Sequence, residues 1–287
     1  MMNQEKEAKA IAQQLGNIPL NDEKIQVEIQ RLNRKNFVPL EQVKALHDWL
    51  ESKRQARQCC RVIGESRTGK TMACNAYRLR HKPIQQLGQP PIVPVVYIQI
   101  PQECSPKELF SVVIEHLKYQ VTKGTTAEIR NRTLRVLKGC GVEMLIIDEA
   151  DRLKPKTFAD VRDIFDNLEI SVVLVGTDRL DKVMTNDEQV CNRFSASYRY
   201  GKISGEEFKR TVNIWENQVL KLPVLSNLTQ PKMLEILRNK TQGYIGLMDM
   251  ILRDAAIRAL KKGMPKIDLD TLKEVTNEYT APPKTQK

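Results

Sequence analysis

The sequence is poor in histidine, in aromatic residues and in long apolar runs, and its cysteines are not spaced to act together. Only His47, His81 and His116 occur among 287 residues, which leaves little for proton shuttling through imidazole or for a histidine-built metal site. Cys59, Cys60, Cys74, Cys104, Cys140 and Cys191 include no C-x-x-C pair and read as reduced, mostly buried thiols. Aromatic residues make up 5% of the chain, whereas the hydrophobic 41% and charged 28% are ordinary for a folded protein and argue against disorder over most of the length. No stretch approaches the ~18 apolar residues of a membrane helix. The first residues, Met1-Met2-Asn3-Gln4-Glu5-Lys6-Glu7, lack the apolar centre of a signal peptide, so a cytoplasmic protein is expected.

What is abundant is positive charge, and it is localised. Residues 51–140 hold 16 Lys and Arg against 6 Asp and Glu, which is +10 of the net +11. A nucleotide needs few of these charges, so a polyanion such as DNA is a candidate partner, beside the plainer alternative of a generally basic surface.

Apolar spacing divides the chain into four parts. Residues 1–58 read as a helical lead-in, with Ile25, Ile29 and Leu32 on one face, Val43, Leu46, Trp49 and Leu50 on another, and Pro39 near the start of the second helix. Over residues 59–203, short β-rich runs (Cys60–Ile63, Val93–Ile98, Met144–Ile147 and Val172–Val175) alternate with helical periodicity, the pattern of a parallel α/β sheet flanked by helices. The proline-rich stretch Lys82–Pro94 reads as a surface loop. Residues 204–279 carry helical spacing alone (Phe208, Val212, Trp215, Val219, Leu222, then Met248, Ile251, Leu252, Ala255), which predicts a small helical lid. Residues 280–287 read as a disordered tail.

The chemistry sits at strand ends. Gly64-Glu65-Ser66-Arg67-Thr68-Gly69-Lys70-Thr71 follows an apolar strand and opens a helix (Met72, Ala73, Ala76), the context that a phosphate-binding loop requires. Its glycines let backbone N–H groups turn toward phosphates at the positive end of that helix. Lys70 then neutralises the β- and γ-phosphates of ATP, and the Thr71 hydroxyl binds Mg²⁺. A second apolar run ends in Asp148-Glu149, where Asp148 is placed for Mg²⁺ and Glu149 for orienting or deprotonating the attacking water. A third ends in Gly176-Thr177-Asp178. Thr177 there either contacts the γ-phosphate and water, or simply caps the helix beginning near Arg179, and the two are compatible.

The order of these motifs, together with Ile146-Ile147-Asp148-Glu149-Ala150-Asp151, Asn192-Arg193-Phe194 and a lid segment Gly243-Tyr244-Ile245-Gly246, resembles the AAA+ ATPases. Within them it is similar to the TnsC/TniB group of transposition regulators, in the short form found with RNA-guided, CRISPR-associated transposons, from about Ile11 to Tyr279. The resemblance implies an ATPase that assembles head to tail, as a ring or helical filament, on double-stranded DNA, marks a target site and recruits or activates a transposase. Hydrolysis would drive disassembly, and a TniQ-like adaptor and an RNA-guided effector complex would be further partners. It matches Arg193 to the arginine finger that reaches the neighbouring subunit's γ-phosphate, although a lone arginine before Phe194 also reads as a surface charge. DNA-backbone contacts fall on Lys107, Lys123 and Thr125. Tyr244 would pack near the adenine, or serve only as a core tyrosine. Where many AAA+ lids carry an arginine this chain has Leu247, with Arg253 and Arg258 as weaker substitutes. No nuclease or transposase activity is expected of the chain itself. The alternative from the same fold is a replication initiator or helicase loader, although residues after Asp268 offer one helix where such proteins often append a DNA-reading domain.

Overall fold

Parallel β-structure forms where the apolar runs predict it, and the reason is burial on both faces. A computed structural model of the chain describes residues 22–34, 37–85, 87–120, 123–184 and 187–281. Two helices, α1 (Asp22–Asn33) and α2 (Glu41–Gln55), precede strand β1 (Cys60–Ile63) and helix α3 (Lys70–Arg80). There follow β2 (Val95–Gln99), α4 (Pro106–His116), α5 (Thr126–Gly139), β3 (Met144–Asp148), a 3₁₀ turn Ala150–Arg152, α6 (Thr157–Leu168) and β4 (Ser171–Gly176). Short helices α7 (Arg179–Met184) and α8 (Glu188–Arg193) then lead to β5 (Ala196–Arg199).

The five strands are all parallel in the order β2-β3-β4-β1-β5. Every residue of β3 and β4 is buried, as expected of central strands in such a sheet. The connection from β1 to β2 passes over β4 and β3, so the carboxyl ends of β1, β3 and β4 meet beside the reversal of strand order, where open α/β sheets bind ligands. Strand β5 is absent from the expected set. It is an edge strand whose residues alternate between half-buried and exposed, so it lacks the continuous apolar run that marks the others.

The described residues divide into two units, one from Pro39 to Gly201 and one combining those up to Val38 with those from Lys202 onward. This corrects the expected lead-in, which is split between them. Helix α2 belongs to the α/β unit and packs on α3: His47 Nε2 lies 2.9 Å from the Ala73 carbonyl, and the Tyr77 hydroxyl donates to Glu51 at 2.7 Å. Glu51 is held down to about 2, first by its hydrogen bond with Arg54 and also by the one from Tyr77. Helix α1 belongs to the helical unit, where Arg31 donates to the carbonyls of Val219 and Leu220 at 3.0 and 2.5 Å. These are the last two residues of a π-helical stretch, Trp215–Leu220, that continues α9 (Gly205–Ile214). Carbonyls at a helix end have no intrahelical donor, and a guanidinium satisfies two at once.

The rest of the helical unit is α10 (Pro231–Thr241), α11 (Ile245–Lys261) and α12 (Leu269–Glu278). Both arginines considered as substitutes at the lid are engaged within it. Arg253 bonds Asp249 at 2.7 Å and the Leu32 and Arg34 carbonyls at the end of α1. Arg258 bonds Glu278 at 2.6 and 2.9 Å and Glu274 at 3.2 Å. Leu247 is fully buried. The proline-rich stretch 82–94 carries one reciprocal backbone pair, Ile84 with Ile92. The residues before 22 and the expected tail from 282 onward lie outside the described residues. Five of the six cysteines are buried, and burial pushes the Cys104 thiol up to about 11 and Cys59 to about 12. No described helix is long and apolar enough to cross a membrane.

Candidate nucleotide site

The start of the loop between β1 and α3 is held by both strands that flank β1. The Gly64 N–H donates to the Gly176 carbonyl of β4 at 3.2 Å, and the Tyr200 N–H after β5 donates to the Ile63 carbonyl at 2.8 Å. A Cβ on Gly64 would lie 2.2 Å from the Tyr200 carbonyl oxygen. Gly64→Ala is therefore expected to displace β5 or the loop, at about 1–3 kcal/mol of stability. Thermal melting would show the loss, and nucleotide titration a weakened site. Gly69 has φ 99° and ends the loop as the amino-terminal cap of α3, a backbone region that side chains avoid. The Thr68 hydroxyl closes the turn on the Glu65 carbonyl at 2.8 Å.

Lys70 is buried, 8% exposed, with Nζ donating to the Gly64 carbonyl at 2.6 Å and the Glu65 carbonyl at 2.8 Å. Burial lowers its pKa below the usual lysine value, and the charges of Asp148 and Glu149 oppose that shift. Thr71 is exposed on the first turn of α3. Asp148, at the end of β3, is 2% exposed. Its Oδ2 accepts from the Tyr97 hydroxyl at 2.6 Å and its Oδ1 from the Glu149 N–H at 2.9 Å. Burial, then the Asp148 charge, raises the Tyr97 phenol above its ordinary value, so Tyr97 remains a donor. Glu149 has left-handed backbone (φ 58°, ψ 35°), and its carboxylate lies 3.4 Å from the Arg152 guanidinium.

An open cleft of about 490 Å³ joins these strand ends. Glu65 and Ser66 of the loop line it together with Glu149, Asp151, Thr177 and Arg179. The Thr177 hydroxyl donates to Asp151 Oδ2 at 3.1 Å and accepts from the Arg179 N–H at 3.4 Å, so Thr177 faces the cleft and caps α7 at once. The structure thus brings Gly64–Thr71, Asp148, Glu149 and Thr177 together. Tyr97, which braces Asp148, and Asp151, which orients Thr177, have no part in the expected site. Tyr97 sits in an apolar run, where nothing local distinguishes a brace from a core residue, while Asp151 follows Glu149 by two positions and could have been marked as a second carboxylate.

The other expected residues lie elsewhere. Arg193, the last residue of α8, does not line this cleft; its Nε donates to Asp166 Oδ1 of α6 at 3.1 Å. Tyr244 belongs to the helical unit, where it is buried at the start of α11 with Lys202 Nζ 4.4 Å from its ring centroid. Lys107 is exposed on the first turn of α4, and Lys123 is exposed just before α5. Thr125 caps α5 in a reciprocal capping box: its hydroxyl accepts from the Glu128 N–H, while its own N–H and hydroxyl donate to the Glu128 carboxylate at 2.7 and 3.0 Å. No cluster of three metal-ligating side chains occurs among the described residues. The donors at hand, one hydroxyl and one buried carboxylate with unused lone pairs, suit a hard cation that brings phosphate and water as its other ligands.

Similar architecture occurs in solved structures. Cdc6p from Pyrobaculum aerophilum superposes with a TM-score of 0.68 at 16% identity, over 87% of this chain and 70% of that one. The Aeropyrum pernix ORC1 protein in complex with DNA gives 0.64 at 16% identity, over 87% and 69%. The Aeropyrum pernix ORC2 protein in its ADPNP-ADP complexes gives 0.64 at 13%, over 87% and 71%. At these identities the likeness is one of fold. Fold and phosphate loop together define an AAA+ ATPase. More specifically, the family described as bacterial TniB protein matches residues 29–200, and the chain belongs to that family. No curated protein matches the sequence.

Proposed function

We propose that this chain is an ATP-dependent, DNA-binding regulator of transposition that assembles on duplex DNA, marks the target site and recruits or activates a transposase, with hydrolysis driving disassembly. The observation that carries this reading is the TniB match over residues 29–200. The position of Arg193, outside the cleft lined by its own Glu149, supports its use on a neighbour's nucleotide in a head-to-tail assembly. In this reading Gly64–Thr71 hold the phosphates, and Lys70 leaves the loop carbonyls for them. Thr71 and Asp148 would hold Mg²⁺, which supplies charge neutralisation at the phosphates when bound. Glu149 orients and deprotonates water, Thr177 positions it, and Tyr244 packs near the base. A TniQ-like adaptor and an RNA-guided effector complex are the proposed further partners.

The DNA contacts are assigned to Lys107, Lys123 and Thr125. Contacts of this kind track phosphates and carry little base information. Assembly on duplexes of unrelated sequence, with ATP and without, tests the proposal: binding to each with ATP supports it, and no binding sinks it. Lys107→Glu should weaken DNA binding, reduce the slope of log affinity against log salt by about 1 per protomer, and leave ATP binding intact. An unchanged slope removes Lys107 from the interface. The ORC and Cdc6 folds favour a second reading, a replication initiator, which strict dependence on one origin-like sequence would select.

A further inference from the structure

Arg193 has two anchors of different kinds. Its neighbours Val190 and Phe194 are fully buried and fix the backbone of α8. The side chain itself is half exposed (48%), and a six-residue helix cannot orient it. What orients it is Asp166 of α6, which takes the Nε–H at 3.1 Å. The other Asp166 oxygen faces Arg162 Nε at 3.8 Å, and the Arg162 guanidinium donates to Gln189. Arg162 and Asp166 are four residues apart on α6, and Gln189 and Arg193 are four apart on α8. Two cross-links, Arg162–Gln189 and Asp166–Arg193, therefore lie one helical turn apart on both helices and set their register.

A bond to Nε leaves the terminal edge of the guanidinium open. Neither Nη of Arg193 has a partner among the described residues. That edge, with its four N–H donors, is the part that grips a phosphate, and its plane is set by whatever holds Nε. We propose that Asp166 is a positioning residue for hydrolysis: it holds the Arg193 guanidinium by Nε so that both terminal nitrogens are presented to the neighbouring protomer's nucleotide. This rests on the reading of Arg193 as a finger acting in trans.

The test is steady-state ATPase activity of the full chain assembled on duplex DNA. Asp166→Ala should lower kcat by roughly tenfold to a hundredfold, the scale of loss from a misplaced catalytic group, with KM for ATP unchanged. Asp166→Asn keeps an oxygen acceptor for Nε and should restore most of that loss. Mixing variants assigns the defect to one side of the interface. A protomer defective in presenting its finger still supplies a working phosphate loop, so Asp166→Ala mixed equally with Glu149→Gln should regain wild-type sites at about a quarter of the interfaces. Mixed with Arg193→Ala it should regain none. Full activity of Asp166→Ala beside a defective Arg193→Ala overturns the positioning role alone. So does recovery with Arg193→Ala, or failure of Asp166→Ala to assemble where Arg193→Ala assembles. Full activity of Arg193→Ala overturns the finger and the positioning role together.

Discussion

Lys70→Ala is expected to abolish ATP-dependent assembly on DNA while leaving the fold in place. The ammonium is buried against two loop carbonyls, Gly64 and Glu65, and burial works against its charge. Phosphate oxygens are better partners for that charge than carbonyls, so nucleotide binding recovers a desolvation cost already paid on folding. Truncation removes the charge and leaves the two carbonyls without their donor. Losing one partner of a buried, hydrogen-bonded charge pair costs about 2–5 kcal/mol, so ATP affinity should fall by roughly thirtyfold to several thousandfold. Titration with a fluorescent ATP analogue measures the loss, and thermal melting checks that the chain remains folded. Nucleotide affinity within a few-fold of wild type would remove Lys70 from the site.

Glu149→Gln should separate binding from turnover. The side chain lines the cleft and is not among the groups that bond Lys70 or Asp148, so ATP should still bind. Glutamine matches glutamate in shape and keeps an oxygen beside Arg152, whose guanidinium lies 3.4 Å from the carboxylate, but it cannot accept a proton from water. Loss of a general base costs roughly 10²–10⁴ in kcat. Under the proposed function, the DNA complexes then persist because the hydrolysis that releases them is blocked. Phosphate release and the lifetime of DNA-bound assemblies after dilution are the measurements. Turnover at the wild-type rate would mean that another group, such as Asp151 in the same cleft, activates the water.

The missing lid arginine takes on a definite form in the structure. Leu247 is a buried core residue of α11, and Arg253 and Arg258 are tied to α1 and to α12. Neither stands in reserve as a substitute. The same contacts explain why the first helix parts from the second. Arg31 and Arg253 exchange guanidinium-to-carbonyl bonds between α1 and the rest of the helical unit in both directions, and nothing in the local sequence around Asp22–Asn33 signals partners 188 to 221 residues further on.

What the sequence by itself determined is the part of this protein that local chemistry specifies. A phosphate loop needs glycines, a lysine and a threonine at set spacing between a strand and a helix, and central strands of a parallel sheet need continuous apolar runs. Gly64–Thr71, Asp148, Glu149 and Thr177 were legible for that reason, as was the alternation of β2, β3 and β4 with helices. Only the tertiary structure decided what depends on contacts distant in sequence: the half-exposed edge strand β5, the brace of Tyr97 on Asp148, the division of the lead-in helices, and the hold of Asp166 on Arg193. Each of these involves a residue whose type fits several roles. The choice among them is made by whichever polar group the fold places within hydrogen-bonding distance.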